Sequence, residues 1–86
     1  MEKIVVGSVE SGDLMMSISE SSAGHNEIVI DSKFIQQYGD EIKEIISNIC
    51  NEYNVNNAKI EVNDQGAIPA VIRARTKTGL ERFLNK

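Results

Sequence analysis

SKFIQQYGDEIKEIISNICNEY, residues 32–53, decides how the rest of this 86-residue chain is read. Its apolar side chains (Ile35, Tyr38, Ile42, Ile45, Ile46, Ile49, Cys50 and Tyr53) recur at steps of three and four, which aligns them as one stripe along a helix. Ser32 has the chemistry of an N-cap, and the pair Gly39-Asp40 predicts a break or kink with the helix recapped at Asp40. The stripe is rich in β-branched isoleucine, which lowers intrinsic helix propensity. The helix therefore depends on a surface to pack against.

That surface is predicted on both sides of the stretch. Residues 3–9 (KIVVGSV) and 14–19 (LMMSIS) read as two short strands, joined through the turn residues Glu10-Ser11-Gly12-Asp13 into a hairpin. Residues 20–26 (ESSAGHN) read as loop. Residues 27–31 (EIVID) alternate with Ile28 and Ile30 on one side, as does AKIEV at 58–62, giving a third and a fourth strand. NDQG at 63–66 is a turn, and Pro69 suits the first position of a closing helix with Ile72, Leu80, Phe83 and Leu84 as its apolar members. Arg73, Arg75 and Lys77 alternate at period two, as a strand would, and Gly79 disfavours helix. The helical reading competes there with an extended one. The expected fold is α+β: β-β-β-α-β-α, a two-layer sandwich of a mainly antiparallel four-stranded sheet with two helices on one face. Residues 1–86 are expected to form a single domain.

Composition limits what such a domain does. One cysteine, Cys50, excludes an internal disulfide and a cysteine zinc cluster. Its place on the apolar stripe makes it a core residue rather than a nucleophile. The single histidine, His25, falls in a polar loop with no second ligand in view. No metal site is expected. Segments 1–66 hold four basic and twelve acidic residues, whereas 67–86 hold five basic (Arg73, Arg75, Lys77, Arg82, Lys86) and one acidic. The tail is the place for a phosphate or an acidic partner surface, unless it neutralises the acidic remainder. A pI near 4.9 without aromatics among the basic residues argues against nucleic acid as a partner. No apolar run approaches the ~18 residues of a membrane span, and no signal-peptide pattern opens the chain. The expected setting is cytoplasmic, with no membrane partner.

No spacing of carboxylates singles out a general acid–base pair, and no glycine-rich phosphate loop is present. Ser11 is left. With one histidine and little room for a cleft, a hydrolytic triad is not expected. Ser11 is then either plain turn chemistry or an exposed hydroxyl to which another enzyme attaches a group.

GSVESGDLMMSI (7–18), QQYGDEI (36–42) and VNDQGAIPAVIRAR (62–75), in that order and spacing, resemble the small acyl carrier subunits of citrate lyase (gamma) and malonate decarboxylase (delta). The resemblance runs from about Gly7 to Phe83. It implies a non-catalytic carrier with no catalytic residue of its own. Ser11 would hold a covalent 2′-(5″-phosphoribosyl)-3′-dephospho-coenzyme A, with Glu10, Gly12 and Asp13 as its recognition turn. It implies acetyl and citryl thioesters as cargo, a transferase (alpha) and a lyase (beta) subunit as partners, and a prosthetic-group transferase that installs the arm. Asp64, Gly66, Arg73 and Arg75 match the second motif, where the turn is expected to order the sheet end and the arginines to meet phosphates or a partner subunit. Gly12 stands where citrate lyase carriers usually have a second serine, and GAIPAVIR leans toward the malonate decarboxylase type. The short N-terminal lead and QQYGDEI lean toward citrate lyase, or the similar citramalate lyase, which is the reading favoured here. From another class, the alternative is a plain interaction module in which Ser11 is only a turn residue.

Overall fold

The structure, a computed structural model, describes residues 3–85; Lys86, counted above with the basic tail, lies outside the described residues. In chain order the elements are β1 (Ile4–Gly7), β2 (Leu14–Glu20), β3 (Glu27–Ser32), α1 (Ile35–Glu52), β4 (Ala58–Asp64) and α2 (Pro69–Leu84). The expected β-β-β-α-β-α order is what the chain adopts. The strands line up as β1-β2-β4-β3. β1 with β2 and β2 with β4 are antiparallel, whereas β3 runs parallel to β4. The sheet is therefore mixed, because α1 is the crossover that brings the chain back to start β4 beside the start of β3.

Alternation along the strands sorts side chains between the two faces. Val6, Leu14, Met16, Ile18, Ile60 and Val62 point into the core, while Val5, Met15, Val29 and Glu61 stay accessible on the other face. Register keeps the inward set together: Val6 lies opposite Met16, and Met16 opposite Val62. Both helices cover this inward face, α2 on β1 and β2, and α1 on β3. They supply Ile42, Ile46, Ile49, Cys50, Ile72, Leu80 and Phe83 to the same core.

Two local expectations are corrected, and a third, the closing helix, is met. Ser32 does not cap α1: its hydroxyl donates to Asp64 Oδ2 (2.8 Å) and accepts the N–H of Phe34 (3.0 Å), and the helix starts without a side-chain cap. Nor does Gly39-Asp40 break the helix, which runs 18 residues without interruption. Gly39 is buried there, and a Cβ would come within 2.7 Å of Ile35 Cδ1. The closing segment is helical throughout, with Pro69 in its first turn. Gly79 earns its place in α2 by letting the helix sit close on the sheet: a Cβ would lie 2.7 Å from Ile18 Cδ1 and 3.4 Å from Val6 Cγ2.

β1 is shorter than the sequence suggests, ending at Gly7 rather than at residue 9. Gly7 takes φ +85°, and a Cβ there would collide with the carbonyl oxygen of Leu14. Only glycine lets the chain turn away from β2 this close to its backbone. Gly24 also has a positive φ (+79°) but has open space around it. Gly7→Ala is therefore expected to lower unfolding free energy by ~2 kcal/mol or more, and Gly24→Ala by ~1 kcal/mol, since strain alone costs about 1–3 kcal/mol. Urea unfolding of the two variants checks the order; equal losses would show that the Leu14 contact is irrelevant.

Candidate functional site: a pinned turn carrying Ser11

The β1–β2 connection spans residues 8–13. Its tip is a four-residue turn closed by the N–H of Asp13 donating to the Glu10 carbonyl (3.0 Å), with Gly12 in third position at φ +84°, as type II turns require. Ser11 and Gly12 occupy the tip and are exposed, as is Glu10.

This tip is held from several sides. The Gly12 N–H donates to the carbonyl of Gln65 (2.8 Å), and the Gln65 N–H donates back to the carbonyl of Asp13 (2.9 Å). That reciprocal pair extends the β2–β4 ladder past its last register pair, Leu14 with Asp64. The β4–α2 turn is itself ordered by Asp64, which is buried and accepts from the Ser32 hydroxyl and from the Ala67 N–H (3.0 Å). Asp64 thus ties the end of β3 to the start of the α2 approach, in keeping with its expected place in ordering the sheet end.

Asp13 is the centre of the site. Its carboxylate accepts from Arg75 Nε (3.0 Å) and Nη2 (2.7 Å) in a forked pair, from the Ser8 hydroxyl (2.8 Å) and from the Leu14 N–H (2.7 Å). The side chains are 16% and 40% exposed for Asp13 and Arg75, respectively. The Arg75 hydrogen bonds first, then those from Ser8 and Leu14, hold the Asp13 carboxyl well below the usual carboxylate range. Arg75 is pushed up in turn by Asp13.

The structure brings Glu10, Ser11, Gly12, Asp13 and Arg75 together at one end of the sheet. Arg75 turns inward to Asp13, whereas Arg73 is exposed on α2 and, among the described residues, enters no ion pair. The period-two run of cations thus divides between an internal tie and an open surface. His25 follows β2 at its far end; seven strand residues at ~3.3 Å each separate that end from Ser11 by about 20 Å. Cys50 is fully buried, and burial pushes its thiol up. Sequence reasoning missed Ser8 and Gln65. Gln65 acts through its backbone, which leaves no side-chain signal.

The Asp13 pair has a consequence for acid stability. A carboxyl whose folded pKa lies below its unfolded value (about 3.9) stabilises the fold fully above that value, and the contribution is lost as pH falls toward the folded one. Asp13→Asn is expected to lower the Tm by several degrees near neutrality and to flatten the decline below about pH 4. Thermal unfolding followed by circular dichroism across that range checks it; parallel curves for the two proteins would rule the pair out as the source.

The geometry agrees with what the chain is similar to. Residues 1–83 match an acyl carrier (ACP) family model described as malonate decarboxylase delta subunit (MdcD). A citrate lyase acyl carrier protein of Lactobacillus helveticus is 38% identical over 91% of this chain and 79% of its own length. One from Oenococcus oeni is 34% identical over 95% and 84%, and one from Lactiplantibacillus plantarum 39% over 93% and 82%. The fold matches a chain of the crystal structure of a Pseudomonas malonate decarboxylase hetero-tetramer in complex with malonate, with a TM-score of 0.80 at 24% identity, covering 93% of this chain and 81% of that one. With the family model spanning nearly the whole chain and such relatives beside it, this protein belongs to the acyl carrier family of the malonate decarboxylase delta subunit.

Proposed function

We propose that this chain is the acyl carrier subunit of a citrate lyase and that Ser11 is where its prosthetic group, a phosphoribosyl-dephospho-coenzyme A, is attached. The observation that supports it most is the presentation of Ser11. Its side chain is exposed at the tip of a turn whose backbone is locked on both flanks, and among the described residues no hydrogen bond engages its hydroxyl. A hydroxyl that must enter another enzyme's active site needs this combination of access and fixed position.

The residues present fit the group. Ser11 offers a free primary alcohol, and no side chain crosses its approach among the hydrogen bonds of the turn. Ser11 Oγ would hold the group through a phosphodiester bond, installed by a separate transferase that would also take the hydroxyl proton. Gly12 removes side-chain bulk beside the attacking oxygen, and Asp13 is withheld from solvent by Arg75 and Ser8, so its charge is compensated where an anionic precursor must approach. When bound, the group supplies a thiol at the end of a long arm that holds an acyl unit as a thioester.

The chain's own contribution is then positional. Ser11 fixes the origin of the tether, and a fixed origin keeps the acyl unit at an effective concentration of ~mM or above for sites within reach. The transferase and lyase subunits of the complex are the partners this reading requires. Exposed Arg73 is available to them, whereas Arg75 serves them indirectly by holding Asp13 and hence the turn. A malonate decarboxylase carrier is the second reading, favoured by the description of the matching family model.

Co-expression with a citrate lyase prosthetic-group transferase, followed by intact mass and peptide mapping, is expected to show one added arm on the peptide containing Ser11. Ser11→Ala is expected to remain unmodified with its stability within ~0.5 kcal/mol of the parent, as for other exposed positions. An unmodified chain, under conditions that load a citrate lyase carrier, would sink the proposal and leave a plain interaction module.

A further inference from the structure

Beside Ser11 lies an open groove of about 530 Å³, bounded by the Ser11–Gly12 tip, the β4–α2 turn and the first turns of α1. Its floor is the buried pair Ile42 and Ile72. Its walls carry the rings of Phe34 and Tyr38, which meet edge to face with centroids 6.3 Å apart. Both rings lie in the open, 41% and 54% exposed, as does Ile68 at 62%. The stripe of α1 is thus well buried at Ile42, Ile46, Ile49 and Cys50, while the side chains at its start, Phe34, Ile35 and Tyr38, stay largely exposed. A cluster of aromatic and aliphatic groups this exposed marks a binding surface in a small domain.

The occupant is set by what the groove adjoins. On the carrier reading, on which this inference rests, Ser11 on the groove's rim holds an arm whose nearest bulky part is an adenosine: the phosphoribosyl link joins its 2′ oxygen. The adenine ring is therefore two sugars from Ser11 Oγ, whereas the thiol lies beyond a pyrophosphate and the pantetheine chain. The groove lining selects between these parts. Its surface is mainly apolar, and its two carboxylates, exposed Glu41 and buried Asp64, repel phosphate, while Glu41 can accept from an exocyclic amine. Flat aromatic faces suit a heterocycle, and a base stacked on an aromatic side chain gains enough to favour the stacked form by ~5- to 150-fold. The reciprocal hydrogen bonds between Gly12, Asp13 and Gln65 hold the attachment point still relative to the groove, since Gln65 lines it too.

We propose that the groove formed by Phe34, Tyr38, Ile42, Ile68 and Ile72 seats the adenine ring of the arm attached at Ser11. The seat fixes the near half of the arm and leaves the thiol half free to reach partner subunits. A swinging arm anchored this way sweeps a smaller volume than one pivoting at the serine alone. That raises the local concentration at sites within its reach.

The test uses the full chain, isotope-labelled, with and without the arm installed by the prosthetic-group transferase. Amide shift changes are expected at residues 34–42 and 64–72 as well as at the tip, together with contacts between adenine protons and the rings of Phe34 and Tyr38. The chain has no tryptophan and two tyrosines, so in Tyr53→Phe the emission reports on Tyr38 alone. A loss of that emission on loading is expected. In Phe34→Leu and Tyr38→Leu, whose rings are exposed and whose folding the arm-free spectra monitor, the groove shifts should shrink while intact mass still shows the arm. Absence of the arm on Ser11 overturns the carrier reading and the seat with it. An attached arm whose shifts stay within residues 10–13 overturns the seat alone. So do groove shifts that both leucine variants leave unchanged, and a groove that responds only when a partner subunit is added.

Discussion

A single residue, Asp13, joins the β1–β2 hairpin to α2 and to the β4–α2 connection, which are far from it in sequence. Its side chain accepts from Ser8 before the turn, from Leu14 at the start of β2, and twice from Arg75 in α2, 62 positions away. Its backbone closes the turn onto Glu10 and pairs with Gln65 in the β4–α2 connection. A carboxylate held at 16% exposure needs compensation, and a forked guanidinium supplies it with a direction as well as a charge. The direction matters because Arg75 lies on the same helix that covers β1 and β2. The pair therefore locks the hairpin tip to the helical layer at the end where Ser11 stands.

That lock would have little to hold without the close fit beneath it. Gly79 brings α2 down onto Ile18, Val6 and Met16, and Gly7 turns the chain away immediately beside Leu14. Two glycines thus set the distance between layers and the start of the connection. A small domain buries a limited area, so such fits carry a large share of its specificity. The parallel pairing of β3 with β4 completes the arrangement. It places Ser32 beside Asp64, whose hydrogen bonds shape the turn against which Ser11's tip is tied.

Most of the element order was legible because each element has a single dominant signal: alternation in residues 27–31 and 58–62, and the three-and-four spacing of α1. What was not legible depended on neighbours. Gly39 looks like a break in isolation, but flanking turns and the buried stripe carry the helix through it. Arg73, Arg75 and Lys77 look strand-like, because local sequence cannot show that Arg75 meets Asp13 while the other two face outward. The parallel pairing was hidden for the same reason, as no property of EIVID states which neighbour it takes. At the site, the importance of the ESGD turn was readable, and resemblance to a carrier family drew attention to Ser11. The partners that hold the turn were not, because Gln65 contributes only backbone and Ser8 sits in what reads as strand.

The pinned tip changes how such a serine is to be understood. A flexible loop would present a hydroxyl equally well to a modifying enzyme, since induced ordering can be met from binding energy. It would serve poorly afterwards, because a mobile pivot adds its own range to the range of any tether and dilutes what the tether carries. Here the turn is closed by a β-turn hydrogen bond, laddered to Gln65 and braced through Asp13 on α2, so that on the proposed reading the freedom left would belong to the attached chain and not to the protein. The exposed aromatic start of α1 lies beside this fixed pivot and on the same side as Ser11. Exposing Phe34, Ile35 and Tyr38 together is costly in a chain with only four aromatic side chains of Phe and Tyr type. Selection for stability alone would favour polar residues there. Their placement beside a turn tied to Gln65 and Arg75 is what the proposed seat draws on, and it links the shape of the groove to the rigidity of the turn.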